Sequence, residues 1–263
     1  MELIILFIAI SFVASSVGSI SGIGGGVLIK PVLDALSGLG VDAVSFLSGC
    51  TVLAMSIVSL LRSRKNPQKV EPRRGTLLAI GGALGGLVGK MLFDVLLKQF
   101  SDGRLIGGIQ SGVLCLISII VLFYVWKKDR ISTLNLNGWF SCLFIGMALG
   151  ILSSFLGIGG GPINLMVLSF FFSMESKVAA IHSLYIIFFS QAVSLVFTVT
   201  GGNVPAVSPV YLLVMILGGV LGALFGSHIY RKMSNKHVDI LFTVLVVLVI
   251  LITAKNLVGA VVG

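Results

Sequence analysis

Long apolar runs recur along the whole chain, separated by short charged or turn-forming segments. Six of these runs are long enough for one helix to cross the hydrocarbon core of a membrane. They are predicted as full spans at residues 44–61, 75–97, 105–126, 178–199, 209–230 and 238–258. Two further apolar segments, 3–39 and 139–173, are too long for one crossing, and glycine clusters interrupt both of them.

The composition also places this protein in a bilayer. Of its 263 residues, 57% are hydrophobic and 10% are charged, whereas soluble domains carry about 25% charged residues. The net charge of +9 comes from Lys and Arg in short loops, which is how topology-determining charges are distributed. Nucleic acid is therefore not expected as a partner. Cys50, Cys115 and Cys142 lie in apolar segments without metal-ligand spacing, so neither a metal nor another cofactor is expected.

The two glycine clusters are copies of one another. Residues 22–26 read Gly-Ile-Gly-Gly-Gly, and residues 157–161 repeat this 135 positions later. Another glycine group, at residues 81–85, recurs after 137 positions at residues 218–222. Nearly equal spacings of two separate motifs indicate a duplication of the whole membrane unit.

The two halves, residues 1–130 and 131–263, are predicted to lie in opposite orientations. The loop at 62–74 has six basic residues and one acid, while its counterpart at 199–208 has no charge. Basic loops face the cytoplasm by the positive-inside rule. The predicted cytoplasmic loops are 62–74, 127–130 and 231–237, and the predicted external loops are 98–104 and 199–208. Both termini are then outside.

This topology requires three crossings and one re-entrant hairpin in each half, because four crossings would leave the halves parallel. The predicted fold class is an all-α integral membrane protein with two inverted repeats. Each repeat has one glycine-broken helical hairpin and three transmembrane helices. Segment 3–39 is expected to enter and leave from outside, and segment 139–173 from the cytoplasm.

Glycines at membrane depth free backbone groups that must be buried in protein or line a wet cavity. The helix after each cluster presents N-terminal N–H groups and a positive dipole end, which favour an anion. An alternative is that the glycines only permit close helix packing, which is the interpretation given to Gly81, Gly85, Gly89, Gly218, Gly222 and Gly226. The backbone predicted to bind substrate belongs to Gly22, Gly24, Gly25, Gly26, Val27, Gly157, Gly159, Gly160 and Gly161.

Polar side chains inside membrane segments are costly and are therefore candidates for function. Lys30 is four residues before Asp34, so it either pairs with this acid or contacts the substrate. Asn164 either caps freed backbone or faces the substrate. Lys90 and Asp94 are also four residues apart and are predicted to form an ion pair on one helix. The candidate binding side chains are Lys30, Ser48, Thr51, Asn164, His182 and Ser183.

The paired glycine segments, Gly22 to Pro31 and Gly157 to Pro162, lie in two halves of four segments each. This pattern resembles the TauE/SafE sulfite exporter family, also called the TSUP family, over the whole chain. The resemblance implies a multi-pass cell-membrane permease for sulfite, sulfoacetate, related sulfonates or other small organic anions, with outward transport. The second copy differs from the first, because Met166 stands where Pro31 would be.

The predicted function is a secondary carrier for a small anion, with the lipid bilayer and that anion as its partners. A coupling ion and a homo-oligomer are left open. An anion channel is one alternative, and a non-transport membrane factor in sulfur metabolism is another. An enzyme is not expected, because no Cys, His and acid constellation has catalytic spacing.

Overall fold

The structure is a computed structural model that describes residues 2–64, 68–100 and 103–262. Residues 65–67 of the predicted cytoplasmic loop 62–74 lie outside the described residues, as do residues 101–102 of the predicted external loop 98–104. The described residues are all-helical and form ten α-helices and one 3-10 turn at Lys128–Arg130. The helices are α1 (Glu2–Ser21), α2 (Gly26–Leu36), α3 (Val41–Ser63), α4 (Pro72–Gln99), α5 (Gly103–Lys127), α6 (Trp139–Phe155), α7 (Pro162–Phe172), α8 (Ser176–Thr200), α9 (Pro209–Lys232) and α10 (Asn235–Val262).

Seven of the described helices are long and apolar enough to cross a membrane: α1, α3, α4, α5, α8, α9 and α10. Six of them correspond to the predicted spans. The seventh, α1, was expected only as one arm of a hairpin, yet its 20 residues reach about 30 Å at 1.5 Å per residue. Its partner in the second half, α6, has 17 residues and is shorter than the ~30 Å hydrocarbon core of a membrane.

The glycine clusters end one helix and begin another, as the sequence predicts. Gly22 and Gly24 have φ angles of +73° and +85°, and Gly157 and Gly159 have nearly the same values, +64° and +68°. Only glycine adopts this left-handed backbone without steric cost. The two breaks therefore share one turn geometry at the spacing found in the sequence.

Each short helix runs back along the helix before it. Gly25, after the first turn, packs against Gly18 of α1. The first residue of α2, Gly26, lies beside Ser48 in α3, and α2 ends just before α3 begins. The second half repeats this path, because Asn164 near the start of α7 bonds Ser183, seven residues into α8. Each broken segment is thus a long helix, a glycine turn and a short returning helix.

Glycine faces hold two pairs of long helices together. On α4, Gly81 packs against Leu143 of α6, and Gly89 packs against Ile151. On α9, Gly218 packs against Ser11 of α1, and Gly226 against Ser16 and Ser19. Both members of each pair therefore run in the same direction. The predicted packing role of these four-residue glycine series is confirmed.

Two other pairs run in opposite directions. Gly49 of α3 lies against Gln191 of α8, while Met55, further along α3, packs in a cluster with Leu184, earlier in α8. Helices α5 and α10 are also antiparallel, since Gly108 faces Ala260 and Gly112 faces Leu257. In both pairs, one helix comes from each half of the chain.

The core surrounds the glycine turns, and the outer surface is apolar. Ile23 and Ile158, inside the two turns, are buried together with Ile29 of α2 and Leu168 of α7. Large apolar side chains are exposed on the outer faces of the long helices, as expected for lipid contact. Examples are Ile5, Leu61, Leu84, Leu116, Phe144, Val196, Leu213 and Leu251.

Replacing a packing glycine should separate α4 from α6. A methyl group at Gly85 would lie 2.8 Å from the Met147 carbonyl carbon and 2.9 Å from the Ile151 amide nitrogen. Backbone cannot yield as a flexible side chain does, so we expect Gly85→Ala to lower the free energy of unfolding by at least the ~1–3 kcal/mol typical of overpacking. Thermal unfolding of the purified protein in detergent measures this loss.

The matched control is Gly259→Ala, in helix α10. Gly259 is exposed and has no atom within 4 Å of an added methyl group. This substitution should raise helix stability by about 0.5–1 kcal/mol. Equal melting temperatures for the two variants would contradict the packing role of Gly85.

Candidate functional site

The two glycine turns touch each other in the middle of the protein. A methyl group at Gly24 would lie 3.4 Å from the carbonyl oxygen of Gly159, and one at Gly160 would lie 3.0 Å from the carbonyl oxygen of Ile23. Gly26 packs against the backbone of Ile158. Both clusters are fully buried. The backbone segments predicted to bind substrate are therefore in direct contact, although they are 135 positions apart in sequence.

The starts of α2 and α7 lie at these turns. Gly25 precedes α2 with a helical backbone, and Gly161 precedes α7 with an extended one. The first N–H groups of a helix have no partner inside that helix. Val27 supplies such a group in α2, whereas Pro162 at the start of α7 has no N–H to offer. The two turns therefore present similar but unequal sets of amide donors.

Two of the predicted polar side chains, Ser183 and Asn164, join the turns to the neighbouring helices. The Ser183 hydroxyl donates to the carbonyl oxygen of Gly22 at 2.6 Å, and the Asn164 side-chain amide donates to Ser183 at 3.1 Å. The amide oxygen of Asn164 is buried without a hydrogen-bond partner among the described residues. Asn164 thus stabilises the first turn through Ser183 and keeps one free acceptor at the start of α7.

Two serines of α3 lie against the turns. Ser48 contacts Gly26, and Ser45 contacts Gly157. Both hydroxyl oxygens are buried and lack a hydrogen-bond partner in the described part of the chain. Ser48 was predicted as a site residue, whereas Ser45 was missed because only the fold brings it to the second turn. Its position one helical turn before Ser48 is the signal that could have identified it.

Lys30 forms the ion pair that was one of its two predicted roles. Its ammonium group lies 3.1 Å from a carboxylate oxygen of Asp34, so the ion pair is formed. Its aliphatic stem also lies against the second turn, since a methyl group at Gly157 would be 3.4 Å from its Cδ atom. The residue is only 2% exposed.

Two predicted side chains point elsewhere. The His182 Nε2 atom accepts the backbone N–H of Glu71 at 3.0 Å, and Nδ1 donates to the Val178 carbonyl at 2.9 Å. This neutral tautomer ties α8 to the start of α4. The Thr51 hydroxyl donates to Leu47 at 2.8 Å, and its methyl group faces Gly219 of α9. The observed hydrogen bonds of both side chains are made to the backbone of helices or helix caps and not to the glycine turns.

A cavity of about 270 Å³, lined by both polar and apolar side chains, reaches the second turn from one end of the molecule. It lies among the start of α3, the ends of α4 and α8, and the segment 203–205. Ionisable and amide groups are part of its wall. The lining includes Ser45, Lys90, Asp94, Ser154, Gly157 and Gln191. Lys90 and Asp94 form the predicted ion pair, with 2.7 Å between nitrogen and oxygen, but their place in a cavity wall was not predicted.

At the opposite end, a much smaller cavity of about 10 Å³ lies at the matching positions. Each residue that lines it is 135 or 137 positions from one that lines the larger cavity. The Tyr230 hydroxyl closes this end by donating to the Lys177 carbonyl at 2.9 Å, and the Lys177 ammonium donates to the Met233 carbonyl at 2.8 Å. The small cavity is lined by Ser19, Ser59, Ser63, Ala180, Ile181, Leu184, Ser227 and Tyr230.

The titratable side chains of this site form pairs and not larger clusters. Within residues 2–64, 68–100 and 103–262, no three His, Cys, Asp or Glu side chains are grouped so that they could hold a metal ion. The ionisable pairs nearest the turns are Lys30 with Asp34 and Lys90 with Asp94. What the site offers a ligand is backbone amides, hydroxyls, side-chain amides and two paired ammonium groups.

Similarity to known proteins identifies the family. The sequence profile described as Sulfite exporter TauE/SafE matches residues 7–253, nearly the whole chain. The protein belongs to the TauE/SafE family. Members of this family are membrane transporters, so this chain is a multi-pass membrane transporter and not an enzyme.

Two curated proteins of the same character are similar to this TauE/SafE chain over most of its length. The probable membrane transporter protein YunE of Bacillus subtilis (strain 168) is 23% identical over 93% of this chain and 95% of its own. A probable membrane transporter protein of Methanocaldococcus jannaschii is 25% identical over 90% of each chain. No solved structure matches this chain significantly.

The contact between the turns should make Gly24 sensitive to a single methyl group. Any non-glycine residue at φ +85° costs about 1–2 kcal/mol in backbone strain, and a methyl group here would also press on Ile187, 3.2 Å away. We expect Gly24→Ala to lower the free energy of unfolding, measured by thermal or denaturant unfolding.

Gly38→Ala is the control for backbone strain alone. Gly38 has φ +67°, but nothing lies within 4 Å of an added methyl group. Gly38→Ala should lower the free energy of unfolding only by the backbone strain of about 1–2 kcal/mol. A smaller loss for Gly24→Ala than for Gly38→Ala would mean that the turns are less tightly packed than the contacts indicate.

Proposed function

We propose that this TauE/SafE family member is a secondary carrier for a small sulfur-containing or organic anion, such as sulfite, sulfoacetate or a related sulfonate, and that it exports this anion. The main observation in its favour is the contact of two glycine turns next to a cavity that is open at one end. The matching cavity at the other end is closed by Tyr230 and Lys177.

The carrier is proposed to consist of two inverted repeats, residues 1–130 and 131–263. In support, helices that match at the repeat spacing run in opposite directions where they touch, as α3 and α8 do, and also α5 and α10. The return of α2 and α7 supports re-entrant hairpins at 3–39 and 139–173. A broken helix at membrane depth, in each of two inverted repeats, is a common way to build a transporter site.

The substrate is proposed to bind at the glycine turns through backbone N–H groups around residues 24–27 and 159–161. A helix N-terminus contributes about 0.3–1 kcal/mol to binding of an anion when exposed, and up to about 2 kcal/mol when partly buried. Glycine lets an anion approach the backbone closely. The free Asn164 oxygen and the unpaired hydroxyls of Ser45 and Ser48 suit an oxyanion that carries a proton, or the hydroxyl of an organic acid.

A carrier accounts for the two unequal cavities better than a channel does. A channel needs a continuous polar path, whereas the path from the turns to the Tyr230 end is closed by buried side chains and by two hydrogen bonds. In alternating access, such a seal opens as the other cavity closes. The similarity to transporters also favours a carrier over a membrane factor without transport activity.

Transport in proteoliposomes tests this function. Purified protein should take up radiolabelled sulfite or sulfoacetate with saturable kinetics, and unlabelled anion on the opposite side should accelerate the exchange. Gly24→Ala should reduce this flux strongly, while Gly38→Ala should leave it near that of the wild type. Flux that does not saturate and shows no exchange would indicate the channel, and no flux of either anion would remove the proposed substrate class.

A cysteine-labelling experiment tests the proposed topology, with both termini outside. Single cysteines at Gln68, Asn203 and His237, in a background without Cys50, Cys115 and Cys142, report three loops. The positive-inside rule predicts that the Asn203→Cys protein reacts with an impermeant maleimide added to intact cells. Gln68→Cys and His237→Cys should react only after permeabilisation. Labelling of Asn203→Cys and His237→Cys from the same side would contradict the inverted repeats.

A further inference from the structure

The Lys90–Asp94 ion pair lies within the membrane-spanning helix α4, toward its C-terminal end. Lys90 is nine residues before the end of α4 at Gln99, or about 14 Å along the helix axis. Its side chain is 14% exposed, and that of Asp94 is 15% exposed. Charged groups at this depth are costly to keep and usually belong to a substrate or ion path. A role in helix packing alone does not account for their position in a cavity wall.

This ion pair is incompletely satisfied. The Lys90 nitrogen is 2.7 Å from one oxygen of Asp94 and lies 4.9 Å from the centre of the Phe93 ring. The other oxygen of Asp94 is buried and has no hydrogen-bond partner in the described part of the chain. An ammonium group has three donors, so Lys90 can hold a second oxygen atom besides that of Asp94.

The rest of the cavity wall combines apolar side chains with neutral polar groups that a substrate could contact. Helices α3, α6 and α8 contribute neutral hydroxyl and amide groups, among them Ser45, Ser154 and Gln191. The other charged residues in the wall are Asp42 and Lys98, nearer the opening. Two acids and two lysines leave the cavity without net charge. An anion that enters it must therefore compete with a carboxylate for an ammonium group.

We propose that Lys90 binds the transported anion and that the Asp94 carboxylate competes with this anion for the Lys90 ammonium group. The anionic group of the substrate replaces the Asp94 carboxylate on Lys90 in the cavity, before the substrate reaches the glycine turns. With no substrate present, Asp94 keeps the ammonium group paired, because an unpaired buried charge is strongly destabilising. This proposal rests on the proposed function as an anion carrier.

The site belongs to one end of the protein only. The position that matches Lys90 in the small closed cavity is Ser227, 137 residues later. A substrate anion would therefore meet a fixed cation in the open cavity and a hydroxyl in its counterpart. For this reason, the two cavities differ in their affinity for the anion. They also differ in volume.

The test measures initial rates of uptake of radiolabelled sulfite and sulfoacetate in proteoliposomes that contain the full-length protein. Lys90→Met should raise the half-saturating concentration at least about tenfold, an effect typical of one lost charged hydrogen bond. Asp94→Asn should change it in the opposite direction, because the amide no longer competes for Lys90. Opposite shifts are the signature of competition, since a purely structural pair would lose transport in both variants.

Two further variants keep the test interpretable. Lys90→Met leaves Asp94 unpaired and can fail to fold, so the double variant Lys90→Met with Asp94→Asn removes both charges, and it should fold and show the same raised half-saturating concentration. Lys128 and Asp239 form an ion pair away from this cavity. Lys128→Met should leave the half-saturating concentration unchanged.

The outcomes separate this inference from the proposed function. Wild-type uptake of either anion, with unchanged half-saturation in the folded double variant, would overturn the role of Lys90 and leave the carrier intact. A parallel loss of transport in Lys90→Met and Asp94→Asn, with normal half-saturation in the remaining activity, would show a structural pair. Absence of wild-type uptake of both anions would overturn the proposed substrate class and this site together.

Discussion

The contact between two buried glycine turns is the constraint on which the rest of this structure depends. Gly24 faces Gly159, and Gly160 faces Ile23, so each turn packs directly against the other. Turns expose amide and carbonyl groups that lipid cannot satisfy. They therefore have to be enclosed by protein, and the ten described helices surround them.

The long helices enclose the turns by two kinds of contact. The glycine faces of α4 and α9 let α6 and α1 approach to backbone distance, which brings the glycine turns that follow α1 and α6 inward. Helices α3 and α8 cross beside the turns and supply the polar groups around them, such as Ser48 and Ser183. The glycines of α4 and α9 thus provide close packing outside the turns. The serines of α3 and α8 provide the hydroxyl groups next to the turns.

The features that the sequence predicts here are local ones that occur twice. Similar φ angles at Gly22 and Gly157 follow from one motif repeated, and the Lys30–Asp34 and Lys90–Asp94 pairs follow from four-residue spacing on a helix. Contacts between residues far apart in the sequence cannot be predicted from local spacing. His182 is held by the backbone of Glu71, 111 residues away, and Ser45 reaches Gly157 only because α3 crosses the second turn. The length of α1 also exceeds what the hairpin prediction implied.

The two ends of the molecule cannot close in the same way, even if the halves are related by inverted symmetry. At the closed end, the Tyr230 hydroxyl bonds the Lys177 carbonyl, and the Lys177 ammonium bonds the Met233 carbonyl. The matching residues at the open end are Phe93 and Asp42. Phenylalanine has no hydroxyl to donate, and aspartate cannot donate to a carbonyl when it is ionised. Any closure of the open cavity must therefore use contacts other than the two hydrogen bonds that Tyr230 and Lys177 form at the closed end.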